Sequence, residues 1–255
     1  MRGKVLTVLI VIVLSFNSAY AVNAVSISQI QGLDPARGLM TDYAIRYYVH
    51  IKVDAATVDV FSNGFRVYSP EDAHWQPLMS MQMVMLSSLF DGNVFFPVGS
   101  LDGQGADSLA ACGFRIFGPG FQPGFDNNVL YIETKLTGEH IGKTLCLDSS
   151  MVGGFEWLWS TDQGGVRPSW DGPHCYDIVD CCAGRRGDVN GDGVGPKIID
   201  LTRLVDYLFR GASAPICKNE ADVNSDGVSH NIADLTFIVN YLHRGGPLPS
   251  ACPSN

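Results

Sequence analysis

Apolar and polar residues alternate with a period of two along most of the first 180 positions. Ile45, Tyr47, Val49, Ile51 and Val53 interleave with Arg46, Tyr48, His50 and Lys52, the pattern of a strand with one buried face. Segments 57–61 and 65–69 flank Ser62-Asn63-Gly64. Because Asn-Gly accepts positive φ, this predicts a β-hairpin turning at 62–64. Further strands are predicted near 79–86, 93–97, 113–118, 128–135, 143–148, 155–160 and 174–179. Turn clusters separate them at Gly118-Pro119-Gly120, Gln122-Pro123-Gly124 and Asp126-Asn127-Asn128. No helical stripe occurs before residue 187. About nine strands at this spacing predict an antiparallel β-sandwich.

Beyond residue 187 the period changes. Leu201, Leu204, Val205, Leu208 and Phe209 fall at i, i+3, i+4, i+7 and i+8, and Leu235, Ile238, Val239 and Leu242 repeat the spacing. Each set is one apolar stripe on a helix of about three turns. Arg210-Gly211 and Arg244-Gly245 supply a C-terminal cation and a glycine stop. Ahead of the stripes stand Asp188-Val189-Asn190-Gly191-Asp192-Gly193 and Asp222-Val223-Asn224-Ser225-Asp226-Gly227, offset by 34 residues. Oxygen side chains at alternate positions converge on one point, and glycine at the sixth permits the sharp turn. A hard cation such as Ca²⁺ needs both features. The bland reading is two polar turns before amphipathic helices; two loops in register, each leading to a matching helix, argue against it. Neither 181–187 nor 214–219 has the length or periodicity of a helix, so the unit is loop–helix rather than helix–loop–helix.

This duplicated unit, over residues 187–249, resembles the type I dockerin, the calcium module of cellulosomal and other secreted bacterial proteins. The resemblance implies two Ca²⁺ ions. It assigns Asp188, Asn190, Asp192, the Val194 carbonyl and Asp200 to one, and Asp222, Asn224, Asp226, the Val228 carbonyl and Asp234 to the other. Both closing aspartates come at the thirteenth loop position rather than the twelfth, which Ile199 and Ala233 occupy. An extra residue is therefore expected to bulge near 195–197 and 229–231. The resemblance also implies a cohesin-type partner met by Ile198-Ile199 and Ile232-Ala233, where cellulosomal members usually carry Ser/Thr pairs.

The N-terminus reads as a secretory signal: Arg2 and Lys4 precede an apolar run at 5–14, and Ala19-Tyr20-Ala21 offers a cleavage site. That run is too short to span a bilayer, and no later segment is longer. The expected division is a signal peptide at 1–21, a β-sandwich at 22–180, a short linker at 181–187, the calcium module at 188–249 and a tail at 250–255. By size and strand number alone the sandwich suits an immunoglobulin-like or cohesin-like type. The formal charge of −9, more acidic still without Arg2 and Lys4, excludes nucleic acid, which needs a basic face. Seven cysteines in an exported chain predict disulfides with one left over. Cys146 is expected to pair with Cys175, and Cys217 and Cys252 with each other or with Cys181 and Cys182.

Other candidate chemistry is weaker. Met79, Met81, Met83 and Met85 share one strand face, which suits a sandwich core better than Cu(I). Phe155, Trp157 and Trp159 share another, with Trp170 close by; exposed indoles make sugar platforms and buried ones are core. Glu71, Asp72, Glu133, Glu139, Asp162 and Asp171 have the chemistry of glycosidase acids, but no spacing selects a pair. The expectation is a secreted, non-catalytic protein. Its sandwich recognises or scaffolds, and its calcium module docks it to an assembly concerned with polysaccharide. The alternatives are a polysaccharide hydrolase with its site in the sandwich, and a calcium-stabilised appendage with no partner.

Overall fold

A computed structural model describes residues 23–54, 56–72, 75, 79–83, 93–98, 108–115, 120–152 and 157–252, with the backbone alone at 79–83, 93–98 and 111–115. The strands are β1 (Ala24–Gln31), β2 (Leu33–Asp34), β3 (Gly38–Met40), β4 (Ala44–Val53), β5 (Val58–Tyr68), β6 (Met79–Met83), β7 (Asn93–Val98), β8 (Ser108–Arg115), β9 (Phe125–Lys135), β10 (Thr144–Ser150), β11 (Trp159–Thr161), β12 (Gly164–Val166), β13 (Ser169–Trp170) and β14 (His174–Val179). One sheet has the order β13-β1-β4-β9-β6. The other runs β12-β11-β5-β10-β14-β3-β2, with β8 added on β5 and β7 on β8. Pairing is antiparallel except at two short contacts, β1 with β13 and β14 with β3.

The two sheets enclose a core that follows the predicted alternation. Ile45, Tyr47, Val49, Ile51 and Val53 of β4 are all buried, with Phe65, Val67, Leu130, Ile132, Leu145 and Leu147 from neighbouring strands. Cys146 and Cys175 are direct partners across β10 and β14 and form a disulfide.

Three expectations need correction. The hairpin at 62–64 does not exist, because β5 runs unbroken from Val58 to Tyr68. Asn63 is buried and its Oδ1 accepts the Trp159 indole N–H at 3.0 Å. A Cβ on Gly64 would collide with the Ser150 carbonyl of β10. Here Asn-Gly serves close packing between strands, not a turn. Asp126-Asn127-Asn128 is likewise no turn, since β9 starts at Phe125 and these residues pair with β4. Third, a single helical turn, α2 (Lys218–Ala221), precedes the second acidic loop.

Two longer helices follow the acidic loops: α1 (Ile198–Arg210) and α3 (Ile232–Arg244), 13 residues each. Gly211 and Gly245 end them in the left-handed region, φ 74° and 69°, as the glycine stops predict. A small second core joins Val189 and Leu204 of one repeat to Val223 and Ile238 of the other. These pairs are themselves 34 residues apart.

The helical part is bound to the sandwich. Cys181 pairs with Cys217 and Cys182 with Cys252, the second of the two cysteine arrangements the sequence left open. Cys181, Cys182, Cys217 and Cys252 cluster with Met40 and Tyr43 at the end of β3 and start of β4. Arg37 donates to the Asp180 and Cys182 carbonyls, and Lys218 pairs with Asp42 at 3.4 Å. Six cysteines are thus paired, and the seventh, Cys112, lies where only the backbone is described.

Candidate metal centre

The two acidic loops are organised around their first and last carboxylates. In the first loop Asp188 accepts backbone N–H bonds from Gly191, Asp192 and Gly193 at 2.9, 3.0 and 2.6 Å. Asp200, three residues into α1, accepts from Asn190 at 3.1 Å and Lys197 at 2.8 Å. In the second loop Asp222 accepts from Asp226 and Gly227, and Asp234 from Val223, Asn224 and Asn231. Each closing aspartate therefore caps its helix and stitches the loop start to the helix start. The third and fifth positions are joined as well: Asn190 Nδ2 donates to Asp192 and Asn224 Nδ2 to Asp226. The sixth-position glycines take positive φ, 81° at Gly193 and 86° at Gly227, as the loop turn requires.

The extra residue is absorbed just before each helix. Pro196 packs on Gly187, one residue ahead of the first loop. At the equivalent place in the second copy, the His230 N–H donates to the Ala221 carbonyl at 3.0 Å. The bulge is folded back on the loop start, and the closing aspartate keeps its place.

The carboxylates that close the loops are deeply buried: Asp200 and Asp234 have no exposed surface, and Asp188 and Asp222 little. Burial pushes the pKa of Asp200 and of Asp234 up, against the lowering by their N–H donors; the charges of Asp188 and Asp192 raise the first further, and that of Asp222 the second. Asp192, held by the Asn190 side chain and the Val194 N–H, lies below its ordinary value. Buried like charges on a set of hard oxygens, with no sulfur or imidazole in the set, fit a cation of the Ca²⁺ kind. In the second loop the Val228 carbonyl already accepts Asn231 Nδ2 at 2.6 Å, an engagement with no counterpart at Lys197 in the first.

Several residues around the loops were not evident in the acidic motif. Arg186 Nη1 donates to Asp222 Oδ2 at 2.8 Å and to the Asn219 and Asp222 carbonyls. Glu220, whose Oε1 accepts the Ala183 N–H at 3.0 Å, is buried. It lines a small cavity of about 70 Å³ with Tyr43, Asp188, Asn190 and Gly191. Burial, with the nearby charges of Asp188 and Asp180, raises Glu220 to about 7 despite the opposing Ala183 N–H and Arg37. Carrying the 34-residue register two positions back from the first aspartate of each loop would have picked out Arg186 and Glu220.

The other candidates disperse. Trp159 is fully buried, and Trp157 and Trp170 meet Phe65 in an aromatic cluster, their centroids 5.3 Å apart. Trp157 and Trp170 are half-buried and pack at the edge of the core; Phe155 lies outside the described residues. Met79, Met81 and Met83 stand in register with the buried Thr134, Ile132 and Leu130, and Met85 is outside the described residues. Of the six candidate acids, Glu71 and Asp72 hold the adjacent Thr144 and Lys143, Glu133 holds Arg46, Glu139 holds Thr137, Asp171 holds His174, and Asp162 is exposed.

Residues 186–247 match the family model of the Dockerin type I domain, the segment that the loop–helix repeat marks out. Type I dockerins are calcium-binding domains. The match covers about a quarter of the chain. Among solved structures the chain is similar to a cohesin module from a Clostridium perfringens family 33 glycoside hydrolase (10% identity, TM-score 0.37, covering 63% of this chain and 98% of that one). It is also similar to a type II cohesin domain from the cellulosome of Acetivibrio cellulolyticus (10%, 0.38, 60% and 94%). A third likeness is to a non-cellulosomal cohesin from the archaeon Archaeoglobus fulgidus (11%, 0.31, 63% and 86%). At these identities and scores the likeness carries no conclusion about the sandwich. No curated protein matches the chain. Among the described residues, no helix is long and apolar enough to cross a membrane.

Proposed function

We propose that this is a secreted protein whose C-terminal module, residues 188–249, binds two Ca²⁺ ions and docks the chain to a cohesin-type partner. The observation that carries the proposal is the pair of loops in the same register, each gathering three aspartates around its first and last ligand. Asp188, Asn190, Asp192, the Val194 carbonyl and Asp200 would hold one ion; Asp222, Asn224, Asp226, the Val228 carbonyl and Asp234 the other. Bound calcium would supply the positive charge that these buried carboxylates lack. The chain's own part is to shape the loops and to seat α1 and α3 against each other, leaving the start of each helix exposed as an equivalent docking patch.

That surface has the character of a docking site. Ile198 is 60% exposed, Ile199 51% and Ile232 54%. With Ala233 they put apolar groups at the start of both helices, where a partner covering them would gain burial. The sandwich at 22–180 is the domain so attached, acting in recognition or as a scaffold within an extracellular or surface assembly concerned with polysaccharide. A signal peptide at 1–21, cut near Ala21, accounts for export. The test is a calcium titration of the full mature chain by calorimetry, followed by binding to a panel of cohesin domains with and without EDTA. Two ions bound and calcium-dependent capture of a cohesin are expected; no heat of calcium binding would overturn the proposal.

A further inference from the structure

The two loops, alike in their ligands, differ in the charge set beside them. Arg186 and Glu220 both stand two residues before a first ligand and are 34 residues apart, so they are the same position in the two copies. Each reaches toward the other copy. The Arg186 guanidinium is hydrogen-bonded at 2.8 Å to Asp222, the first residue of the second loop, and also holds the Asn219 and Asp222 carbonyls. Glu220 shares a small cavity with Asp188, the first residue of the first loop, and with Asn190. Arg186 and Asp222 are both largely buried, with side chains 12% and 8% exposed, so solvent and salt screen the pair weakly. A guanidinium at this position in one copy and a carboxyl at it in the other make the two sites electrostatically unequal.

We infer that Arg186 acts as a resident counter-cation for the second loop, while Glu220 adds an acid beside the first. The first site therefore fills first and the second only at higher calcium. The inference rests on the proposal that both loops bind calcium. Affinity in oxygen-ligand loops follows the charge of the ligand set. Three aspartates face the ion in both loops, but in the second one of them already shares its charge with a guanidinium that does not lose its proton. Arg186 also keeps the second loop assembled without the metal, because it ties the first ligand to the carbonyls of Asn219 within α2 and of Asp222 just after it.

The test is a calcium titration of the full chain with disulfides intact, followed by the amide NMR signals of Gly193 and Gly227, one at the sixth position of each loop. Gly193 is expected to shift at lower calcium than Gly227, by roughly tenfold or more in concentration. Arg186→Gln should bring the Gly227 midpoint toward that of Gly193. Glu220→Gln should weaken the Gly193 response and leave Gly227 unchanged. Arg186→Lys, which keeps the charge and loses the fork, should leave the second site weak. Helical circular dichroism at saturating calcium checks that each variant folds, and the unmodified chain tests the order of filling without any variant. Equal midpoints in the unmodified chain, or a second site weakened by Arg186→Gln, would overturn the inference while leaving calcium binding intact. If neither amide moves, calcium binding itself is wrong and the inference falls with it.

Discussion

The His230 ring stands edge-on to the ring of Tyr207, their centroids 5.0 Å apart and their planes at 81°. His230 belongs to the bulge before α3 and Tyr207 to α1, so the extra residue of the second loop packs on the helix of the first repeat. The longer loop is therefore part of the contact between repeats. His230→Ala is expected to destabilise the module by about 0.5–1.5 kcal/mol, the range for such aromatic pairs. Denaturant unfolding in excess calcium, followed by the helical signal, measures it; an unchanged midpoint would make the bulge a spectator.

Calcium and the disulfides should share the work of holding the helices. Cys181–Cys217 and Cys182–Cys252 close loops of 36 and 70 residues, for which the chain-entropy model predicts roughly 4 kcal/mol each. Helices of 13 residues are marginal on their own. EDTA should therefore remove part of the helical circular dichroism from the oxidised protein and nearly all of it from the Cys217→Ser, Cys252→Ser variant. Full helicity of that variant in EDTA would show that packing alone suffices.

Acid should have opposite effects on the ion-free and calcium-loaded forms. Without metal, Glu220 stands near 7, and Asp200 and Asp234 above their ordinary value of 3.8, all through burial. A carboxyl raised in the folded state binds protons better folded than unfolded, so it favours folding increasingly as pH falls through the raised value. Calcium, in contrast, needs ionised ligands and is displaced by protons. The gap in melting temperature between calcium and EDTA samples should narrow steadily as pH falls from above 7 toward 4. A gap independent of pH would show that these carboxyls are not at the ion.

Ile198 and Ile232 are more than half exposed and belong to neither core. Substituting both by Asp should change stability by no more than about 0.5 kcal/mol and abolish binding to any cohesin-type partner. A single substitution leaves the equivalent residue of the other repeat available and should weaken binding less. Undiminished binding by the double variant would place the docking surface elsewhere.

Within the sandwich, Gly64→Ala sets a methyl against the backbone of Ser150 rather than against a movable side chain. A loss of roughly 1–3 kcal/mol is expected, the cost of forcing volume into a packed strand contact. Urea unfolding of the sandwich measures it, and a neutral result would mean that β5 and β10 can part at no cost.

What could be read along the chain was what is local. The proposed ligands of each loop lie within 13 residues of one another, and a cation's demand for alternating oxygens and a glycine turn is met by spacing alone. Helix stripes, glycine stops and the alternation of β4 are likewise short-range consequences of backbone geometry. The Cys146–Cys175 pair was expected because both residues fall in predicted strands of the sandwich; that the two strands are neighbours is seen in the fold. Tertiary structure decided whatever depends on what lies opposite. Asn63-Gly64 has the chemistry of a turn, but a buried indole and the carbonyl of an adjacent strand hold it extended, and packing outweighs a local turn preference of a kcal/mol or so. The choice between two cysteine pairings, and the reach of Arg186 across to Asp222, belong to the same class. Each depends on a distance between segments tens of residues apart, which no spacing along the chain encodes.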